Sequence, residues 1–292
     1  MKRFLSWLLV LTVCLTLSVG ALAQTYPLTV VDTAGNTVEI AEKPTKVVSL
    51  AASNTEILYA LGVGGKVVGV DAYSDYPAEA LENAAVVGDY NGPNVESILA
   101  LDPDVVFAAN SIQQEAIDTL KAAGVAVVSV EATAYAEIIP SIQLVADIMG
   151  VSADAVIEEM NKEEEEALSL KDKCAGKTVY FALSFGEWGD WSAGDGTFIG
   201  DMLTMLGAEN IAAGLGYAWP QYSVEQLLEK DPDVILVSGG EASAEAFCAF
   251  ESYRELTAVK EGRVYGVDAN TSSRPSQRIT LALKEFAECL SK

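Results

Sequence analysis

The sequence predicts an α/β protein built from two similar halves, each with a parallel sheet flanked by helices. Three observations carry that expectation. Short Val-rich runs alternate with capped amphipathic segments, a thirteen-residue segment recurs almost literally, and one long helical pattern separates the two copies.

The runs Val47 to Leu50, Val67 to Val70, Val105 to Ala108 and Val125 to Val130 are apolar throughout, as strands covered on both faces are. Ser53-Asn54-Thr55-Glu56 reads as a capping box opening a helix that Gly62 ends. Ser111-Ile112-Gln113-Gln114 opens a second, ended near Gly124. Thr29 to Ile40, broken at Ala34-Gly35-Asn36, reads as an N-terminal hairpin. In the second half Thr178 to Leu183, Val234 to Val237 and Val264 to Val267 are expected strands. Phe198 to Leu206, Val224 to Lys230 and Gln277 to Leu290 are expected helices.

The segment from Asn94 to Val106 matches Ser223 to Ile235 at an offset of 129 residues, with seven identities in thirteen positions. A capped two-turn helix, an Asp-Pro-Asp turn and a buried strand therefore occur once in each half. Common helix-turn-strand grammar explains part of the match; duplication explains it better, because the first-turn Glu96 and Glu225 are also shared. Between the halves, Ser152 to Lys173 reads as one helix capped by Ser152, with Ala153, Val156, Ile157, Met160 and Ala167 on one stripe and Glu163 to Glu166 mostly solvated. The expected organisation is a leader over 1–23, a first α/β lobe over 24–151, the linker helix over 152–173 and a second lobe over 174–292.

Composition narrows the function. The chain has 42 acidic and 18 basic residues, a net charge of −24, which disfavours nucleic acid and anionic lipid as partners. It has no histidine, which removes Ser-His-Asp and Cys-His catalysis, His-based zinc sites and His-ligated haem. Lys2 and Arg3, the apolar stretch from Phe4 to Val19 and Ala21-Leu22-Ala23 form a secretory signal cut after Ala23. An uncleaved anchor is the rival reading of that run. A lipid on Cys14 is rejected, because Val13 precedes it inside the apolar run. Cys174, Cys248 and Cys289 follow the cut, and their spacing leaves one disulfide plus a thiol, or three thiols, both open.

Leu28 to Leu61, with its hairpin, its Lys-Val-Val-Ser-Leu strand and Asn54-Thr55-Glu56-Ile57-Leu58, resembles the periplasmic binding proteins of iron-siderophore, haem and cobalamin ABC importers. Val70 to Pro77, Val87-Gly88, the helix from Asn94 and Trp219-Pro220-Gln221-Tyr222-Ser223 are most similar to the cobalamin-binding members. Thr197-Phe198-Ile199-Gly200 and Gly207-Ala208-Glu209-Asn210 resemble the second-lobe signature. The resemblance implies two Rossmann-like lobes joined by a long interdomain helix, with the ligand between them. It also implies that Glu96 and Glu225 dock into the two halves of a permease dimer. The plainer account of each glutamate is a first-turn acid favoured by the helix dipole, which does not say why both copies have it.

Candidate ligand contacts are the aromatic residues of loops that follow strands: Tyr73, Tyr90, Phe185, Trp188, Trp191 and Trp219, with Arg274 as the one arginine expected in the cleft. Arg278 is expected to brace the same loop. Few basic groups among many rings fit a large, nearly neutral ligand such as a corrinoid; an iron-siderophore or haem is the alternative. The corrinoid is expected as cargo, with no resident cofactor or metal, and the protein as an exported monomer. A secreted hydrolase using paired carboxylates is the rival class, but no P-loop, Gly-x-Ser-x-Gly elbow or metalloprotease motif supports it.

Overall fold

The computed structural model describes residues 24–109 and 112–292. The signal segment, its cleavage point and Ser111 lie outside them. The first half holds a five-stranded, all-parallel sheet in the order Ala85–Val86, Val67–Val70, Val47–Ser49, Val105–Ala108 and Val127–Ser129. Val47, Val48, Val105, Val106 and Phe107 are fully buried, as expected of strands with helices on both faces. The second half holds a four-stranded parallel sheet in the order Glu209–Asn210, Thr178–Ala182, Val234–Ser238 and Val264–Val267. Leu28–Val31 and Thr37–Ile40 form the antiparallel hairpin. An additional antiparallel pair, Asp190–Trp191 with Gln221–Tyr222, projects from the second sheet.

The sequence repeat is also a structural repeat. Asn94 and Ser223 each cap a short helix, Val95–Ala100 and Val224–Lys230, by accepting from the backbone N–H three residues on. Among the described residues, Asp102 (φ 51°) and Asp231 (φ 38°) are the only non-glycine residues with positive φ, and they occupy the same place in the two copies. Next come Asp104, whose carboxylate accepts from Thr45 N at 2.7 Å and Thr45 Oγ1 at 2.8 Å, and Asp233, which accepts from Thr178 N and Oγ1, both at 2.8 Å. Each aspartate thus ties the entry of one strand to the start of its neighbour. Partial burial opposes ionisation of Asp104, but bonds from Thr45 and Lys46 outweigh it and hold its carboxyl low; bonds from Thr178 do the same for Asp233.

Three local expectations are corrected. The long helix runs over Asp154–Leu168, about 22 Å, rather than Ser152 to Lys173. It stops where the Ser169 hydroxyl donates to Glu166 O at 2.6 Å, and a separate turn of helix follows at Lys171–Cys174. Half of its acidic run is drawn inward: Glu163 accepts from the Thr280 hydroxyl and Glu164 from Tyr135 Oη at 3.0 Å, whereas Glu165 and Glu166 are exposed, Glu166 pairing with Lys284 at 2.8 Å. Ser53 caps nothing, because the first helix is Ala52–Ala60 and its N-cap is Ala51. All three described cysteines carry free thiols, with Cys174 and Cys289 buried.

One continuous hydrophobic cluster passes from Val47 and Phe107 through Ile142 and Met149, past Met160 and Ala167 of the long helix, to Phe181 and Phe286 of the second half. Tyr135 N also donates to Asp201 across the junction at 2.8 Å. A helix without Pro or Gly, packed on a shared core, resists bending. The radius of gyration is therefore expected to change by less than about 1 Å on ligand binding, measured by small-angle scattering. A compaction several times larger would show that the junction hinges freely.

Candidate functional site in the cleft between the sheets

The largest cavity, about 620 Å³, lies between the two halves. Its walls are the segments leaving the carboxyl ends of the strands: Ala51 to Ser53, Asp71 and Tyr73, Ala109, and Val130 to Thr133 from the first sheet. Leu183 and Ser273 to Pro275 come from the second. Parallel strands all deliver their loops to one edge, so two such edges facing each other make a cleft without any further device. The N-termini of Ala52–Ala60 and Phe198–Met205 also reach it, the latter capped by Thr197, whose hydroxyl accepts from Gly200 N at 3.0 Å.

Tyr73, Tyr90 and Trp219 line this cavity. Tyr73 is 56 % exposed and Trp219 41 %. Trp219 packs edge-on against Phe198 with ring centroids 6.4 Å apart. Its loop, which leads into Gln221–Tyr222, is positioned by Ser192 N donating to Pro220 O and Gly194 N to Ala218 O. Tyr90 follows Gly88, whose φ is 112° and where a Cβ would sit 2.4 Å from Gly92 O, so glycine is required for this turn. Burial and the neighbouring Glu131 push the Tyr90 hydroxyl up to about 12, so it stays a neutral donor.

The remaining aromatic candidates go elsewhere. Phe185 packs edge-on against Phe247 and Phe250, with centroids at 5.3 and 5.7 Å. Phe185 and Trp188 line a separate cavity of about 250 Å³ with Phe250, and Trp188 is 83 % exposed. Trp191 sits on the projecting strand pair, half-exposed and outside the walls of the large cavity. The strand reversal at Gly189 explains the split. It separates the tip carrying Trp188 from the strand that leads toward the cleft.

Acidic groups missed by sequence reasoning hold the cleft together. Asp71 is buried and accepts from the Ser74 hydroxyl and from Tyr73 N at 3.2 Å, which fixes the loop bearing the Tyr73 ring. Ser74, Thr55 and Ser49 continue a buried chain of hydroxyls, with Thr55 Oγ1 at 2.8 Å from both others. Burial pushes the Asp71 carboxyl up, against the pull of Ser74, Tyr73 N and Arg274. Gln113, also buried, joins three loops: its Oε1 accepts from Ala109 N, and its Nε2 donates to Leu50 O and Tyr90 O.

Arg274 does enter the cleft wall, but it arrives with its charge already engaged. Its Nη1 lies 3.1 Å from Glu56 and 2.7 Å from Asp75. Arg278 Nε lies 3.2 Å from the other Glu56 oxygen, close enough for charge pairing though outside good hydrogen-bond geometry, and its guanidinium sits 3.8 Å above the Tyr76 ring. Ser276 Oγ donates to Glu56 at 2.6 Å. The Glu56 side chain is 0 % exposed, so the supposed capping-box glutamate is a buried ion-pair partner crossing from one half to the other. Burial pushes its carboxyl up; Ser276 and the two guanidiniums pull it back part of the way. Glu96 and Glu225 stand exposed in the first turns of the two repeated helices.

This combination of two parallel sheets, a shared core and an aromatic cleft at facing strand ends defines a two-lobed binding protein. The chain belongs to the periplasmic binding protein family, whose model matches residues 47–271. It is 34 % identical over 276 residues, covering 91 % of this chain and 86 % of the relative, to an uncharacterized ABC transporter substrate-binding lipoprotein, YvrC, of Bacillus subtilis. It is 30 % identical over 250 residues, 85 % of this chain and 87 % of the relative, to a vitamin B12-binding protein of Yersinia pestis. Among solved structures, the periplasmic vitamin B12-binding protein BtuF of Vibrio cholerae superimposes with a TM-score of 0.73 at 26 % identity, over 85 % of this chain and 97 % of that one.

Proposed function

We propose that this member of the ABC-importer binding-protein family works outside the cytoplasm, holds a corrinoid in the cleft and delivers it to a permease dimer. The observation that carries the ligand reading is the pair of exposed rings, Tyr73 on one wall and Trp219 on the other, in a cleft whose only described arginine is already paired. A corrinoid has wide apolar faces edged with amides. Rings cover such faces and exclude water, while backbone N–H groups at the two helix N-termini suit amide carbonyls. The names of the Yersinia and Vibrio relatives point the same way. Residues 1–23 are proposed as the export signal, and Glu96 and Glu225 as the permease contacts.

The test is calorimetric titration of cyanocobalamin into wild type and Trp219→Ala. A large ring buries roughly 150–250 Å², and its removal from a hot spot costs about 2–4 kcal/mol, or roughly 30- to 1,000-fold in affinity. Trp188→Ala, lying outside the cleft, should change affinity less than about threefold. No heat with cyanocobalamin alongside binding of haem or a ferric siderophore would end the corrinoid reading.

A further inference from the structure

The arginine on the cleft wall is paired with residues that do not line it. Arg274 is the only basic residue among the described residues of the wall. Glu56 and Asp75, which are not among the wall residues, both contact its Nη1, at 3.1 and 2.7 Å, and Glu56 reaches Arg278 as well. Two guanidiniums face two carboxylates there, so the cluster is neutral as a whole. The other ionisable acids on the wall are Asp71 and Glu131. The helix N-termini at Ala52 and Phe198 offer N–H groups and a partial charge, enough to orient a carbonyl but short of a counter-ion for a polyanion.

We infer that Glu56 and Asp75 are specificity-determining residues: by pairing with the Arg274 charge at its Nη1, they make the cleft accept neutral or cationic ligands and turn away anionic ones. The inference rests on the reading of the cleft as a ligand site and deepens it by naming the charge class of the ligand. Glu56 acts through Arg274 and is a positioning residue, held in place by Ser276 and by its complete burial. Asp75 is half-exposed at the mouth and acts on the same guanidinium. A carboxylate introduced on the ligand meets Asp71 on a wall whose described residues offer it no unpaired cation. Unmasking Arg274 would supply one.

The experiment compares cyanocobalamin, which is neutral, with its monocarboxylate, in which one side-chain amide is hydrolysed. Both are titrated into wild type, Asp75→Asn and Glu56→Gln. Wild type is expected to prefer the neutral ligand, and each variant to reduce that preference about tenfold, the effect of one unit charge at close range in a partly solvated site. A purely structural role for these residues would weaken both ligands alike and leave their ratio unchanged. Asp75 is exposed enough for Asp75→Asn to fold if Glu56→Gln does not. An unchanged preference in folded Asp75→Asn overturns the inference. If wild type binds no corrinoid, the corrinoid reading fails alone. The charge rule is then read from ferric ferrioxamine B, a monocation, against a ferric tris-catecholate trianion: preference for the cation supports the rule and preference for the trianion overturns it.

Discussion

Glu56→Ala is expected to destabilise the protein by about 3–5 kcal/mol, the range for removing one partner of a buried ion pair. The loss has identifiable parts. Arg274 keeps only the half-exposed Asp75, Arg278 keeps the Tyr76 ring and no carboxylate, and the Ser276 hydroxyl loses its acceptor. Both guanidiniums are nearly enclosed, at 12 % and 14 % exposed, so water replaces little of what is removed. Glu56→Gln retains volume and an acceptor and should cost less, about 1–3 kcal/mol. Glu96→Ala, at an exposed helix start, should cost below about 1 kcal/mol. Urea denaturation followed by circular dichroism ranks the three by the midpoint of the first unfolding transition. If Glu56→Ala unfolds at the same urea concentration as Glu96→Ala, the cross-lobe cluster contributes nothing to holding the halves together.

The second large effect is expected in transport. Glu96→Ala/Glu225→Ala should reduce cobalamin uptake into proteoliposomes containing the cognate permease to the background seen without binding protein. Truncating one partner of a desolvated interfacial charge pair costs about 2–5 kcal/mol, so each single change should weaken docking at least about 30-fold. Ligand affinity in solution should be unaltered, because both side chains are exposed and neither lines the cleft. Full uptake by the double variant would remove the docking role and leave the two glutamates as helix-dipole residues only.

The alternation of apolar runs with capped helices was enough to place seven central strands and most helices, because strands buried on both faces leave a period that does not depend on distant partners. The repeat was legible for the same reason: its caps, turn and strand are local chemistry. The cleft was only partly legible. Tyr73 and Tyr90 follow strands within a few residues and reach the cavity, as do Trp219 just before a strand and Arg274 just after a short helix, whereas Phe185, also close behind a strand, and Trp188 lie on a tip that a strand reversal carries away from it. Composition cannot anticipate that reversal. Glu56 shows the harder limit. Its spacing from Ser53 fits a capping box, but Ala51 occupies the cap, and the partners of Glu56 lie about 220 residues away at Arg274, Ser276 and Arg278. Glu56 and Asp71, whose burial sequence reasoning missed, carry no local pattern that marks a carboxylate as buried. The one usable signal was the scarcity of arginine, since two arginines in one loop of so acidic a chain need close counter-ions.

The matched turns at Asp102 and Asp231 give the molecule a built-in caliper. Each turn ties a two-turn helix to its own sheet, so the positions of Glu96 and Glu225 are fixed each by the lobe that carries it. A slight relative shift of the sheets, too small to alter the overall dimensions, changes the span between the tips directly. A permease that grips both would read the filled or empty cleft as a length, without touching the ligand.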